Sequence, residues 1–131
     1  MTAVLLDTHA WAWSLTGDRR ISEVALKAME QAETVWIGAI SFFEIGQKVR
    51  IGKWPEMEPL LGRLETIATA QGARIADIMP DIAITAAMMP WDHRDPFDRI
   101  LAATAKVRNV ALVSADMVFD SLPDVGKRRI W

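Results

Sequence analysis

The chain has 131 residues, of which 51% are hydrophobic and 24% are charged, and this composition is typical of one globular domain rather than of a disordered or fibrous protein. It contains no cysteine, which excludes disulfide frameworks, zinc–thiolate sites, iron–sulfur clusters and cysteine nucleophiles. The formal net charge of −2 excludes nucleic-acid binding by bulk attraction, so any such contact must come from a local patch. We expect a single domain over residues 1–131, in the cytoplasm, without a signal peptide or a membrane-spanning segment.

Short apolar runs alternate with amphipathic segments along the first half of the chain. The uninterrupted apolar run Ala3–Leu6 predicts a buried strand that ends at Asp7. The next predicted elements are a helix over His9–Leu15, a helix from its N-cap Ser22 to about Glu33, a strand over Val35–Ile40 and a helix from Ser41 to about Ile51.

The second half continues the alternation after a break at Gly52–Pro55. Apolar residues at helical spacing predict one longer helix from Met57 to its end at Gly72. The remaining predicted elements are a strand over Arg74–Ile78, a helix over Pro80–Met89, a helix over Pro96–Val107, a strand over Val110–Val113 and a short last strand over Lys127–Trp131. This order predicts an α/β fold, a three-layer α/β/α sandwich with a central parallel sheet.

Four acidic residues follow the predicted strands, where ligands of parallel α/β sheets bind. Asp7 follows the first strand, and Glu44 lies one helical turn beyond the second. Asp116 lies just past the fourth strand, and Asp98 is in the first turn of the helix that leads into it. Close carboxylates repel one another by about 4 kcal/mol per pair at an effective dielectric constant near 20, so such a cluster needs a cation. Oxygen ligands without cysteine or histidine favour Mg²⁺ or Mn²⁺.

Each of these acids also has a purely structural interpretation. Glu44 completes a helix capping box that begins at Ser41. Asp98 is favoured in a first turn by the helix dipole, and Asp116 could belong to a turn. Asp7 is harder to explain in this way, because an acid at the end of an apolar strand is costly without a partner. The convergence of all four on one edge of the sheet favours the metal-binding interpretation.

Other polar residues near these acids are secondary candidates. Asp95 is explained by capping the helix that begins at Pro96, so we leave it out of the metal-binding set. His9 and His93 lie close enough to the acids to touch a substrate, although a structural role is the simpler interpretation. Candidates for phosphate contacts, each also compatible with a solvated helix face, are Lys48, Arg50, Lys53, Arg94 and Arg99.

Four segments in this order resemble the PIN-domain ribonucleases of the VapC type, the toxins of bacterial toxin–antitoxin pairs. They are residues 5–11 (LLDTHAW), 41–45 (SFFEI), 93–103 (HRDPFDRILAA) and 112–116 (LVSAD), and the ending Ile130-Trp131 is also similar. The resemblance spans essentially the whole chain. It implies a parallel sheet sandwiched by helices and cleavage of RNA with Mg²⁺ or Mn²⁺.

The resemblance also assigns roles to positions. The invariant acids of the family fall on Asp7, Glu44 and Asp98, its more variable fourth acid falls on Asp116, and Ser114 stands where the family often has threonine. The implied substrate is RNA, with tRNA as one possible target. Hydrolysis of a phosphodiester bond with one or two metal ions is the implied reaction.

Two partners follow from the resemblance. The first is a cognate antitoxin whose tail wraps the enzyme, with Phe42, Phe43, Trp54 and Leu60 as lining and a basic side chain among the acids. The second is another copy of the chain in a homodimer, for which we expect an exposed aromatic surface that includes Trp11, Trp13 and Trp54.

Two rival functions agree less well with the sequence. A phosphotransfer domain of the haloacid dehalogenase type needs an aspartate where His9 stands, and a receiver domain needs a lysine that residues 114–116 do not offer. A non-catalytic interaction module would not require the complete acid set. The sequence therefore favours a metal-dependent ribonuclease.

Overall fold

A sheet of four parallel strands lies at the centre of the computed structural model, which describes residues 2–131; Met1, part of the predicted domain, lies outside them. The strands have the spatial order β3-β2-β1-β4 and are β1 (Ala3–Leu6), β2 (Thr34–Gly38), β3 (Arg74–Ala76) and β4 (Ala111–Val113). In the centre of the sheet, Leu5 of β1 is in register with Trp36 of β2 and Leu112 of β4. The predicted parallel sheet is confirmed.

Helices connect the strands and cover the sheet. They are α1 (Thr8–Thr16), α2 (Glu23–Gln31), α3 (Ala39–Arg50), α4 (Leu64–Ala70), α5 (Pro80–Met88), α6 (Pro96–Arg108) and α7 (Pro123–Lys127), with 3₁₀ helices over Pro55–Arg63 and Met117–Ser121. None of the helices within residues 2–131 combines the length and apolar character that a membrane crossing requires.

The residues of β1 alternate between two hydrophobic cores, because successive side chains of a strand point to opposite faces. Leu5 belongs to a core that also contains Leu112, Ile82 of α5 and Leu101 of α6. Its neighbours in β1 belong to the second core, whose members include Val4, Leu6, Trp11 of α1, Ala25 of α2, Ile45 of α3 and Ala68 of α4. Helices therefore pack on both faces of the sheet, and the predicted three-layer α/β/α architecture is confirmed.

The predicted long helix from Met57 to Gly72 is wrong in its first half. The chain instead forms a 3₁₀ helix over Pro55–Arg63, and α4 begins only at Leu64. Pro59 lies inside the 3₁₀ segment, where its missing N–H and its ring oppose α-helical hydrogen bonding. Met57, the first apolar residue of this pattern, is nevertheless fully buried in the second core.

The predicted last strand is also largely wrong. Its first residue, Lys127, ends helix α7, and a single parallel bridge from Ile130 to Val113 extends the sheet. The preceding 3₁₀ segment packs closely against α7, so a Cβ atom at Gly126 would lie 2.8 Å from the carbonyl oxygen of Phe119. The absence of a side chain at Gly126 thus allows α7 to pack against the 3₁₀ segment, in a region where the sequence predicts the start of a strand.

Trp11 is buried rather than exposed, which corrects the expectation that it forms part of a dimer surface. Only 1% of its surface is accessible, and its ring packs 5.0 Å from that of Phe42, centroid to centroid. Trp13 and Trp54 are partly exposed. The homodimer itself stays a prediction.

Candidate active site

Asp7 stands at the junction of β1 and α1. Its Oδ1 accepts the backbone N–H of Ala10 at 2.7 Å, so the side chain is the N-cap of α1, and its own N–H donates to the carbonyl oxygen of Val113 in β4 at 2.9 Å. The apolar strand therefore delivers a 7%-exposed carboxylate to the carboxyl edge of the sheet, where it is held by both neighbouring elements.

A buried hydroxyl pair connects this junction to α3. The side-chain oxygens of Thr8 and Ser41 lie 2.9 Å apart, and both residues are almost completely buried. One turn beyond Ser41, Glu44 lies on the same helix and accepts a hydrogen bond from the ammonium of Lys48 at 2.6 Å. The capping-box interpretation of Glu44 is wrong, because α3 already begins at Ala39 with Gly38 as its N-cap.

The third group of polar side chains lies at the start of α6. Asp95 caps this helix by accepting the N–H of Phe97 at 2.9 Å, with Pro96 at the first helical position, as predicted. In the first turn, Asp98 Oδ2 lies 2.6 Å from Nε2 of His93, which belongs to the preceding loop. His93 thus fixes the orientation of a predicted site carboxylate.

Asp116 follows β4 and is exposed. Its carboxylate caps the 3₁₀ helix over Met117–Ser121 by accepting the N–H of Val118 at 2.9 Å, and its own N–H donates to Ser114 Oγ at 3.0 Å. The turn interpretation of Asp116 therefore holds, but it does not exclude a second role.

These segments meet at one open cavity of about 350 Å³. Its lining includes all four predicted acids together with Asp95, and it is completed by Thr8, His9, Trp13, Arg20, Lys48, Leu101 and Ala115. Five carboxylates against two cations give the cavity an excess of negative charge.

The predicted four acids do not form the tightest cluster of potential metal ligands. Within residues 2–131, that cluster consists of His93, Asp95 and Asp98, whose ligand atoms all lie within 4.8 Å of one another. The other acids line the same cavity without belonging to this cluster. The sequence pattern alone does not place Asp95 or His93 in the metal-binding set.

Burial changes the ionisation of three groups around the cavity. Desolvation raises the pKa of Asp7 from 3.8 to about 6, against hydrogen bonds from Ser114 and Ala10 that lower it, and the charge of Glu44 raises it further. Burial also raises the pKa of Asp98, although its hydrogen bond with His93 opposes this shift. The pKa of His9 is lowered, first by burial and then by the charge of Lys48. The cavity thus penalises negative charge on two of its acids.

One predicted phosphate contact, Arg99, has a structural role instead. Its guanidinium donates to carbonyl oxygens at the end of α5 and in the loop that follows, namely those of Ala86, Ala87, Met89, Trp91 and His93, at 2.7–3.4 Å. Among the other candidates, Lys48 lines the cavity but is paired with Glu44. Arg20, which sequence reasoning did not single out, also lines it.

The groups that position the acids could not be predicted from the sequence pattern. Thr8 follows Asp7 directly, but nothing in the pattern indicated that its hydroxyl would meet that of Ser41, 33 residues away. Likewise, Trp13 and Arg20 reach the cavity from α1 and from the loop after it, which no periodicity predicts. Such contacts depend on tertiary packing.

Comparison with known proteins identifies the family. The PIN domain family model matches residues 4–125. The chain is 34% identical over 117 residues to Ribonuclease VapC22 of Mycobacterium tuberculosis, and the alignment covers 88% of each protein.

Solved structures share the fold at lower identity. VapBC2 from Rickettsia felis, crystallised with a fragment of promoter DNA, matches with a TM-score of 0.68 and 16% identity over 95% of this chain and 96% of that one. A toxin–antitoxin complex from Klebsiella pneumoniae matches with a TM-score of 0.66 and 21% identity over 92% and 93% of the two chains. Mycobacterium tuberculosis VapC20, described as a sarcin-ricin loop cleaving toxin, matches with a TM-score of 0.61 and 17% identity over 95% and 98%. The chain therefore belongs to the PIN domain family, as a member of the VapC type.

Proposed function

We propose that this protein is a divalent-metal-dependent endoribonuclease in which Asp7, Glu44, Asp98 and Asp116 hold Mg²⁺ or Mn²⁺, and that it acts as the toxin of a VapBC-type pair. The observation that carries the proposal is the convergence of these four carboxylates on one cavity at the carboxyl edge of the sheet. The relationship to a VapC ribonuclease supports the same reaction.

The donor set at the cavity fits a hard divalent cation. Mg²⁺ and Mn²⁺ prefer carboxylate oxygens, which are the main polar groups here. Within residues 2–131, the cavity acids make two salt bridges, Lys48–Glu44 and His93–Asp98. Neither of them includes Asp7, whose pKa is raised by burial. A cation beside Asp7 would offset this penalty, so the residues present fit the group.

The chain's own residues supply placement. Asp7 is fixed by its cap on α1, Asp98 by its hydrogen bond with His93, and Glu44 by the connection of α3 to α1. When bound, the cation would lower the pKa of a water molecule and offset charge on the phosphate. Hydrolysis would join a water oxygen to phosphorus and break one P–O bond to a ribose, and the proton lost by the water would be balanced by the proton that the leaving ribose oxygen gains. The carboxylates accept no covalent bond in this scheme.

RNA is the proposed substrate, and tRNA is one target worth testing first. The site of action would then be the cytoplasm. The alternative of a non-catalytic interaction module is disfavoured by the intact set of acids around one cavity. Incubation of the purified protein with total RNA and Mn²⁺ tests the substrate class, since the proposal expects discrete cleavage products that disappear in chelator.

A protein antitoxin is the proposed partner. The structural relatives from Rickettsia felis and Klebsiella pneumoniae were solved as toxin–antitoxin assemblies. In this chain, Phe43 exposes 61% of its surface beside the partly buried Phe42, which offers apolar area to a partner segment. An arginine or lysine from that segment would pair with the excess carboxylates of the cavity. Inhibitor and divalent cation should therefore weaken each other's binding by the same factor.

Expression in a bacterium tests the toxin role. The parent gene expressed alone should slow growth, and the Asp7→Asn form should not. Co-expression of the neighbouring small gene from the native host should restore growth of the parent. Equal growth of both forms, with no small partner that co-purifies, would contradict the toxin role and leave ribonuclease activity as a separate question.

A homodimer remains part of the proposal. Large apolar side chains on α5 support it, since Ile84 and Met88 expose 65% and 75% of their surface. Light scattering at high protein concentration should report twice the 14.6 kDa mass of the chain. A monomeric mass under the same conditions would contradict the dimer.

A further inference from the structure

We propose that the aromatic wall of the acid cavity, formed by His9, Trp13 and Arg20 with Trp54 behind His9, is a subsite that stacks one unpaired nucleobase of the substrate. The inference rests on the proposed ribonuclease function and deepens it. It assigns the side chains beside the carboxylates to recognition of a base, and it restricts the substrate to RNA that is single-stranded at this position.

Two residues of the wall lie on α1, the helix that the proposed metal ligand Asp7 caps. His9 and Trp13 are four residues apart in α1, so they project from one face of the helix that Asp7 caps. The imidazole of His9 stacks on Trp54 with ring centroids 4.8 Å apart and 26° between the planes. It also meets Trp13 at 5.5 Å, so the ring is held from two sides while it lines the cavity. A ring packed against two others thus lines the same cavity as the carboxylate of Asp7.

Arg20 adds a second planar surface. Its guanidinium carbon lies 4.7 Å from the ring centroid of Trp13, and its side chain is 67% exposed. Asp18 holds the guanidinium in place through two hydrogen bonds, of 3.1 and 2.7 Å. A guanidinium whose charge is already paired and whose plane rests on an indole is suited to stack under a base, as arginine does in many RNA complexes.

The charges of the cavity favour stacking over an ionic grip on the RNA. Both cations that line the cavity are paired, Arg20 with Asp18 and Lys48 with Glu44. Five carboxylates would repel the phosphate backbone in the absence of a divalent cation. Aromatic rings and guanidinium groups bind a base through its π-face, a contact that does not require a positive charge beside the phosphates. A paired base has both faces covered by its neighbours in the duplex, so only an unpaired one can enter.

Binding of labelled RNA in Ca²⁺, supplied in place of Mg²⁺ or Mn²⁺ to offset the carboxylates, tests the subsite apart from catalysis, and a parallel gel checks that the RNA stays intact. The probes are an unstructured single-stranded RNA and a duplex of the same length, measured by fluorescence anisotropy. The parent should bind the single strand more tightly than the duplex. The His9→Ala variant should weaken single-strand binding about tenfold, which is within the range measured for one stacked base, and Arg20→Ala should weaken it severalfold.

Two variants separate stacking from other roles. His9→Phe keeps a flat ring and should retain most of the single-strand affinity and of the cleavage rate in Mn²⁺, which a histidine that ligates metal or transfers a proton would lose. Trp36→Leu is the matched control, because Trp36 also carries arginines over its ring but does not line the cavity, and it should bind like the parent. Melting temperatures report on folding, and Arg20 is exposed enough for its variant to fold.

The outcomes separate this inference from the function on which it rests. Parent-like single-strand binding by both His9→Ala and Arg20→Ala, or equal loss in His9→Ala and His9→Phe, would overturn the subsite. Equal affinity of the parent for single strand and duplex would overturn it as well. Failure of the parent to cleave any RNA in Mn²⁺ would instead contradict the ribonuclease function.

Discussion

The ammonium group of Lys48 lies 2.6 Å from Oε2 of Glu44, one helical turn away on α3. A proposed metal ligand therefore already carries a cation supplied by the protein. The carboxylate is 9% exposed and the lysine 27%, so the pair is shielded from much of the solvent. A divalent cation that binds Glu44 must share the carboxylate with this ammonium group or displace it.

Replacing Lys48 should strengthen metal binding. In Lys48→Gln, the dissociation constant for Mn²⁺ measured by calorimetry should be lower by at least about fivefold. This factor is at the lower end of the range usual for coupling between two ligands of one protein. Lys53→Gln is the control variant, because Lys53 is exposed and has no acidic partner of this kind within residues 2–131. It should bind Mn²⁺ like the parent. Unchanged or weaker Mn²⁺ binding in Lys48→Gln would show that the ammonium does not compete.

Conservative amide substitutions should show which of the cavity acids hold the cation. Asp7→Asn, Glu44→Gln and Asp98→Asn should each lower cleavage by about a hundredfold or more, because an amide is nearly isosteric but lacks the charge that holds the cation. Circular dichroism should show an intact fold. Parent-like cleavage by all three variants would refute the assignment of the site.

Two neighbouring acids should be less sensitive to the same change. Asp116→Asn should lose less activity than the three variants above, because Asp116 is exposed at the rim and already caps a 3₁₀ helix. Asp95→Asn should be milder still, since asparagine also caps helices well and can accept the N–H of Phe97. Measured turnover at saturating Mn²⁺ gives the order, and a reversed order would move Asp95 into the metal-binding set.

Local patterns predicted the centre of this fold well. The run Ala3–Leu6 is apolar throughout because both of its faces are covered, and it ends at Asp7 where the sheet ends. Asp95 and Pro96 predicted the start of α6, because capping and a fixed proline φ are properties of adjacent residues. The predicted acids reach one cavity for the same reason, since parallel strands end at a common edge.

Features that depend on distant residues were not predictable in this way. Apolar periodicity does not distinguish a 3₁₀ from an α-helical segment, so the sequence predicts one helix from Met57 to Gly72 although a 3₁₀ helix spans Pro55–Arg63. Ser41 matched a capping pattern, but its hydroxyl bonds Thr8 across the fold. His93 and Asp98 are five residues apart in sequence, yet their contact depends on the loop that Arg99 holds.

The raised pKa of Asp7 should give the metal-free protein a contribution to stability that decreases from acidic to neutral pH. The carboxyl titrates at about 6 in the folded chain against 3.8 in the unfolded one, so folding favours its protonated form. This contribution is fully present below pH 3.8 and is lost as pH rises through 6, at a cost of about 3 kcal/mol. In chelator, the free energy of unfolding of the parent should therefore fall relative to that of Asp7→Asn over this window.

Asp7→Asn removes this titration and keeps an oxygen that can cap α1. In chelator, it should therefore melt at a higher temperature than the parent at pH 7.5, and the difference should vanish near pH 4. Asp92→Asn, at an exposed loop position, should show no gain that depends on pH. An Asp7→Asn variant less stable than the parent at pH 7.5 would mean that the buried carboxylate is stabilising.

Arg99 should be important for stability in a way that lysine cannot replace. Its fork-shaped guanidinium serves several carbonyl oxygens at once, and a single ammonium group would leave most of them without a donor. Arg99→Lys should lower the free energy of unfolding by about 3 kcal/mol, measured by urea denaturation. The exposed Arg94 is the matched control, and Arg94→Lys should change it by less than about 0.5 kcal/mol. Equal effects of the two changes would contradict the structural role.

The proposed chemistry is measured most directly by cleavage of a labelled single-stranded RNA. The parent and Asp7→Asn are compared in Mn²⁺ or Mg²⁺, with and without chelator. The parent should cut in either metal, stop in chelator and recover when excess Mn²⁺ is restored, whereas folded Asp7→Asn should stay at background throughout. Cleavage by the parent that is unaffected by chelator, or cleavage by Asp7→Asn at the parent rate, would contradict a metal-dependent ribonuclease built on these carboxylates.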